Sequence, residues 1–547
     1  MSRLTFLGIL VSVTLAAPAQ IKLPDDFEKQ VDTVCKDWSK PNAPGGVVGI
    51  ALDGKLVFAK GYGLANLETK TPNTADTVMD VGSVSKQFTA MCILLLEEQG
   101  KLKTSDDFTK YIPEVPTFGQ KITIDNLLHM TSGLRDYLNI WATQGWNFVD
   151  AKSFQDAIDV MSRQTGANDL PGEKWNYCNA GYMMMAVIVE RVSGESLAKF
   201  AKKNIFVPLG MEHTLFMEDD NIVVADRATS YAPGPNGYQG LFSALGVYGD
   251  GGLHTTLADF AKWHENFYSN QLGKKNKAVI DKMVKATNLN NGKSTNYGCG
   301  LSLDKVNGEP RVQHGGNWLG FNAMTARFPA KHLSVFTLGN DGTNNSNLFN
   351  KKIAEIVLGN APKVAASKEI EVAEDVLKTY VGTYSLPDGR SATVTLEGKQ
   401  LSIQVTGQPK FPVFAESETM FFLKVVEAKF EFVKDGSGAV TGAKIHQNGS
   451  TTELKRGEPF IATEVQRKAF VGHYQSFEMD LEIDIVADGD KLVLIKSGEK
   501  LDMKLVTADQ ATVAGFKLVT LRDATWVIRG LTLDTGRAVG MKFIKHS

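Results

Sequence analysis

The strongest chemical signal in this 547-residue chain is the run Gly82-Ser83-Val84-Ser85-Lys86-Gln87-Phe88. Apolar residues at Val84, Phe88, Met91 and Leu95 set a helical period from Ser83 to Gln99, with Gly100 placed as a C-terminal cap. Ser83 and Lys86 stand three apart at the helix start, so both side chains leave one face. A helix N-terminus adds free N–H groups and positive potential that suit an oxyanion. A hydroxyl, an amine and such a terminus in one place are the ingredients of acyl transfer through a serine. Ser-x-x-Lys alone is a weak signal, since a capped surface helix carries the same letters. Two more groups strengthen it. Tyr177-Cys178-Asn179 follows a Pro171-Gly172 turn and precedes an apolar helix through Tyr182, Met185 and Val189. His314-Gly315-Gly316-Asn317 stands just before a predicted hairpin, where a strand would line a cleft.

Other motifs fail on inspection. His264-Glu265-Asn266-Phe267-Tyr268 starts like a zinc-binding helix but lacks the second histidine. Gly292-Lys293-Ser294 has Thr287 where the first glycine of a phosphate loop belongs. A Gly-x-Ser-x-Gly elbow is missing, which removes the common α/β-hydrolase arrangement. Nine histidines and four cysteines show no ligand spacing, so neither metal nor cofactor is expected. Cys35, Cys92, Cys178 and Cys299 read as core thiols, Cys178 being the one beside chemistry and open to oxidation. His129 and the Met183-Met184-Met185 run read as structural.

The elements that must position these residues are legible in outline. A first helix is expected over Asp25 to Trp38. Asp53-Gly54 between two apolar runs marks a hairpin. Ala323–Phe328 and Leu333–Leu338 form a second hairpin, and a helix through Phe349, Ile353 and Val357 stops at Gly359. Strands near both ends of this region imply a sheet whose first and last pieces meet. Residues 361–372 read as a linker. After them Tyr380-Val381-Gly382-Thr383-Tyr384 and Phe470-Val471-Gly472-His473-Tyr474 begin two similar units, each of short alternating strands. A duplicated all-β unit of this kind favours two small closed barrels.

Ser-x-x-Lys, then Tyr-x-Asn, then His-x-Gly, in that order, resembles the penicillin-recognising serine hydrolases: class C β-lactamases, D,D-peptidases, D-aminopeptidases and related esterases. Thr131–Tyr137, Gly249–Leu253 and Gly315–Phe321 add to the resemblance, which covers about residues 25 to 360. It implies an α/β (α+β) catalytic domain with an antiparallel sheet flanked by helices, followed here by two small antiparallel, lipocalin-like β-barrels. Ser83 would be the acylated nucleophile, and Lys86 would share its proton with Tyr177 to activate it. Tyr177 would then serve the leaving group and the hydrolytic water. Asn179 would hydrogen-bond the substrate amide or Lys86. The backbone N–H groups of Ser83 and Asn317 would form the oxyanion hole, and Gly315 and Gly316 would let the strand approach substrate. One departure matters: β-lactamases of this family usually carry Lys-Thr-Gly where this chain has His314, which makes a substrate carboxylate harder to hold and counts against β-lactamase activity.

The three-domain plan is similar to that of D-aminopeptidases, in which a long loop of the last barrel reaches the cleft and selects a free amine. Here Val519–Trp526 is only a hairpin connection, which would keep Asp523 at the barrel rim. The expected activity is thus a broader esterase, amidase or peptidase, D-amino-acid-containing substrates included, rather than a strict D-aminopeptidase. A retired, purely binding relative is the alternative class; intact Ser83, Lys86 and Tyr177 argue against it.

Lys+Arg 59 against Asp+Glu 61 gives a net charge of −2, which excludes the basic footprint of a nucleic-acid binder. The expected partner is a small molecule or short peptide. Arg3, an uncharged run to Ala19 and small residues at its end resemble a signal peptide, too short for a membrane span, and predict secretion. Asn344-Asn345-Ser346 and Asn448-Gly449-Ser450 are sequons. The division expected is signal 1–19, hydrolase domain 20–360, linker 361–372, and barrels 373–458 and 459–547. A chain ending near Gly359 would, on this reading, fold alone.

Overall fold

The computed structural model describes residues 21–359 and 369–546, except 220, 275, 344, 388–389, 407, 409, 425–427, 448–449 and 458–459. The expected signal segment, most of the expected linker and parts of both sequons lie outside the described residues.

Strands Gly46–Leu52 and Lys55–Tyr62 turn at Asp53-Gly54. Both corner residues have positive φ, 47° and 74°, as a two-residue turn of this hand requires. Gly46–Leu52 pairs on its other edge with Leu333–Gly339, Gly46 opposite Gly339 and Leu52 opposite Leu333. The first and last strands of the region therefore meet in mid-sheet. Among the described residues the order is 302–306, 309–318, 321–328, 333–339, 46–52, 55–62, every neighbour antiparallel. The helices Phe27–Val34 and Ser346–Val357 cover one face, packing Val31, Phe349 and Ile353 with Val48, Ile50 and Val335. The first helix is shorter than its spacing predicts, since a 3-10 turn, Lys36–Ser39, takes over after Cys35. Against the other face lies Leu257–Ser269, whose Phe260 stacks on Phe336 at 5.7 Å. Beyond it, Lys86–Glu98 is buried from Lys86 to Leu96, a helix that is apolar nearly all round because it runs through the core.

Two antiparallel β-barrels follow, one nearly closed and one closed. In the first, nine described strands begin and end with the two-residue strands Phe411–Pro412 and Phe414–Ala415, so only Val413 separates its edges. In the second, Gly472–Ser476 pairs with both Leu481–Asp488 and Met541–Lys545, which closes the ring. The repeated opening has a physical basis. Tyr384 donates its phenol proton to the Tyr380 carbonyl at 2.8 Å, and Tyr474 does the same to Phe470 at 2.7 Å, each ending a short helix where a strand begins.

The barrels relate differently to the catalytic core. The first has its own apolar cluster around Tyr380, Tyr384 and Phe432. The second shares one continuous cluster with the sheet and helical region. Its Glu478 is buried against Arg135, 2.8 Å apart with both side chains 3% exposed. The boundary expected near Gly359 is crossed by this contact, in which Arg135 meets a carboxylate of the second barrel. No helix among the described residues is long and apolar enough to cross a membrane.

Candidate active site

Ser83 lies in a 3-10 turn, Gly82–Ser85, and the α-helix starts at Lys86. The sequence pattern places Ser83 inside the helix. The tighter turn arises because Gly82 adopts φ 48° and donates its N–H to Asp80 Oδ1 at 2.6 Å. In 3-10 geometry residues three apart eclipse, so Lys86 falls directly under Ser83. Its Nζ donates to Ser83 Oγ at 2.9 Å, to Asn179 Oδ1 at 2.8 Å and to the Asp250 carbonyl at 2.6 Å. Three acceptors match the three N–H bonds of an ammonium, and the side chain is fully buried.

These partners are themselves held. The Asn179 N–H donates to Asp136 Oδ2 at 2.6 Å, while Asp136 Oδ1 caps the helix Tyr137–Gln144 through the N–H groups of Leu138 and Asn139. Tyr137 donates to Asp250 Oδ2 at 2.9 Å. Burial pushes the Asp250 carboxyl up to about 6, against the opposing pull of Lys86. Sequence reasoning assigned no role to Asp136, Tyr137 or Asp250, although all three lie in the stretches that carried the family resemblance.

The strand Glu309–Trp318 passes hard against the turn that carries Ser83. A methyl group on Gly316 would stand 1.9 Å from the Val81 carbonyl oxygen and 2.8 Å from the Ser83 nitrogen. One on Gly82 would stand 2.7 Å from the Asn317 nitrogen. Only glycines permit this approach, which sets the Asn317 segment of the strand beside the Ser83 turn, both lining the cleft. His314 sits on the same strand, buried, and receives a hydrogen bond from Tyr297 at 3.0 Å. The Gly315 carbonyl, 2.6 Å from Nδ1, can only accept, so Nδ1 carries the proton and Nε2 of the neutral ring accepts from the Tyr297 phenol. Burial first, and then the Lys86 charge, depress the His314 pKa to about 3. His314 is a neutral group.

Tyr177 is half-buried between two cations, Lys86 Nζ and the Arg537 guanidinium, each 4.9 Å from its ring centroid. Ser83, Tyr177, Asn317 and Arg537 line one cavity of about 800 Å³, with Val247 and Trp318 among its apolar wall. The eight residues singled out from sequence, Ser83, Lys86, Tyr177, Asn179, His314, Gly315, Gly316 and Asn317, all come together here. Arg537 was not among them. It belongs to the connection between strands Ile528–Asp534 and Met541–Lys545 of the second barrel. Strand Phe516–Arg522 takes in the first half of the expected Val519–Trp526 connection, which leaves only 523–527 as the turn, and Asp523 is tied to Arg529 at 2.7 Å. Cys178 is buried, and burial followed by the charge of Asp136 pushes its thiol up to about 12, so it is an inert core group. Among the described residues there is no cluster of histidine, cysteine and carboxylate fit to hold a metal ion.

Residues 28–358 match the family model described as Beta-lactamase. The chain belongs to that family. Residues 366–458 of this Beta-lactamase-family chain match a domain of unknown function, DUF3471. Penicillin-binding protein 4* of Bacillus subtilis is 29% identical over 451 residues, covering 78% of this chain and 98% of that protein. A D-aminopeptidase of Brucella anthropi is 26% identical over 528 residues, covering 91% and 95%. Among solved structures, the octameric penicillin-binding protein homologue from Pyrococcus abyssi aligns over 87% of this chain and 99% of that one, with TM-score 0.57 and 23% identity. The D-amino acid amidase from Ochrobactrum anthropi SV3 aligns over 61% and 98%, with TM-score 0.50 and 20% identity. The structural likenesses speak to the fold.

Proposed function

We propose that this protein is a serine hydrolase that forms an acyl-enzyme on Ser83 and cleaves esters, amides or peptides. The observation that carries the reading is the buried Lys86 Nζ at 2.9 Å from Ser83 Oγ, with its two other N–H bonds spent on Asn179 and Asp250. Ser83 Oγ attacks the substrate carbonyl as its proton passes to the Tyr177 oxygen, which acts as a phenolate beside the Lys86 ammonium. The carbonyl oxygen, now an oxyanion, accepts hydrogen bonds from the N–H groups of Ser83 and Asn317. Tyr177 returns the proton to the leaving group as the bond to it breaks. Water then attacks the acyl ester by the same route in reverse, and Ser83 is regained. His314 supplies no charge.

A strict D-aminopeptidase needs an anion aimed at the substrate amine. The second barrel brings a cation, Arg537, to the cleft instead, which favours the broader hydrolase. The segment before residue 20 supports export, and we include it in the proposal. The test is a kinetic series on a neutral p-nitrophenyl ester. Ser83→Ala abolishes turnover, and Lys86→Ala and Tyr177→Phe each lose at least about a hundredfold, because the three act as one unit. Near-normal rates in Lys86→Ala would overturn the assignment, and a wild-type chain inert to every ester and amide would point to a retired site.

A further inference from the structure

The cavity needs a cation for any substrate that carries a carboxylate, and its nearest candidates are spent. Lys86 is saturated by three acceptors and His314 is neutral. Arg537 is different. Its guanidinium lines the cavity, is exposed, and has no hydrogen-bond or ion-pair partner among the described residues; it lies over the Tyr177 ring. Its backbone, by contrast, is fixed. The Arg537 carbonyl accepts from the Asp136 N–H at 3.0 Å and from Asn168 Nδ2 at 2.9 Å. Next to it, Val539 donates to Asn168 Oδ1 at 2.8 Å, and Arg135 donates to the carbonyls of Val539 and Gly540. The loop carries the guanidinium to the cavity with the cost of ordering its backbone already met, which favours binding of an anion there. Guanidinium geometry matches a carboxylate with two parallel hydrogen bonds.

We propose that Arg537 binds a carboxylate of the substrate, so that the second barrel supplies the anion-recognising cation of this cleft. The proposal rests on Ser83 being the nucleophile, and it narrows the substrate class to esters, amides or peptides with a negatively charged acyl or leaving group. Arg227, the other exposed arginine of the cavity, lies within electrostatic reach of Asp80 and is the control.

The test uses the full chain and two matched pairs of esters. One pair places the charge on the acyl side, p-nitrophenyl glutarate against p-nitrophenyl pentanoate. The other places it on the leaving group, 3-carboxyphenyl against phenyl pentanoate. In the wild type one carboxylated member has the higher kcat/KM, and Arg537→Gln lowers the charged-to-neutral ratio by about 10- to 100-fold, the range of one charge-assisted bond pair. Arg227→Gln keeps the ratio. A direct measurement needs no turnover: glutarate raises the melting temperature of the wild type and of Ser83→Ala, and not that of Arg537→Gln. Loss of the ratio in Arg227→Gln instead, an unchanged ratio in Arg537→Gln, or glutarate stabilising Arg537→Gln equally would overturn the proposal. Inert esters with an intact glutarate response would remove the hydrolase reading and leave the anion site standing.

Discussion

Removing the Glu478 carboxylate should loosen the second barrel from the catalytic domain and damage a site far from the substitution in sequence. Four donors converge on this side chain. Arg135 Nη1 at 2.8 Å, the Thr165 N–H at 2.7 Å and the Thr165 hydroxyl address Oε1, while the Lys542 N–H addresses Oε2 at 2.6 Å. Burial alone would raise its pKa, but the donors from Lys542, Thr165 and Arg135 hold it below the ordinary 4.5. Glu478→Ala leaves the Arg135 guanidinium buried without its carboxylate, a loss of about 3–5 kcal/mol. Glu478→Gln rescues little, because its amide N–H₂ must face one of the same donors. A multidomain chain gives no single unfolding free energy, so the readout is the first midpoint in a calorimetric scan. At roughly 2–4 °C per kcal/mol for a large domain, that midpoint falls by about 10 °C. Under the proposed function, turnover of the neutral p-nitrophenyl ester falls with it, since Arg135 precedes Asp136, which holds both Asn179 and the Arg537 carbonyl. The penalty has a defined pH dependence. A carboxylate held below its ordinary pKa contributes above about pH 4.5 and loses that contribution as pH falls, so the gap between wild type and variant closes in acid. A midpoint shift under about 2 °C at neutral pH, with activity intact, would refute the view that this pair docks the barrel.

Asp250 and His314 give opposing acid responses. His314, near 3 against an ordinary 6.5, contributes above pH 6.5 and loses that as pH falls toward 3; Asp250, near 6 against 3.8, contributes below pH 3.8 and loses that as pH rises through 6. Asp250→Asn should therefore gain up to about 3 kcal/mol over wild type at pH 7, at about 1.4 kcal/mol per factor of ten, and nothing near pH 4; a gain that does not vary between those pH values in denaturant titrations contradicts the burial argument. Gly316→Ala should lower kcat by about a hundredfold or more, because its methyl group displaces the turn that carries the Ser83 N–H. Unchanged kcat would remove the close approach from the mechanism.

Local signals carried most of the site into view from sequence. Asp53-Gly54 demanded positive φ and formed the hairpin expected. Ser83 and Lys86 had to share a face under either helical geometry, so the 3-10 turn changed the local detail and kept the pairing. The aromatic anchors Tyr384 and Tyr474 made the barrel duplication readable. The rest depends on contacts between distant segments. Arg135 and Glu478 are 343 residues apart, and neither residue's surroundings in the chain announce a buried ion pair. Arg537 sits in the six-residue stretch Thr535–Gly540, whose composition is that of any strand connection. A long loop from the preceding hairpin is not needed, because the barrel itself is seated beside Tyr177 and a short connection reaches the cleft.

The covalent state of Ser83 is the most direct test of an acyl-enzyme at this site. Wild-type protein treated with a fluorophosphonate, digested and mapped by mass spectrometry should carry one added phosphonyl group, on the peptide containing Ser83, and Ser83→Ala should carry none. Labelling should slow at least about a hundredfold in Lys86→Ala, since the same activation serves reagent and substrate. An adduct on another residue, or labelling of Ser83 at an undiminished rate without Lys86, would contradict it.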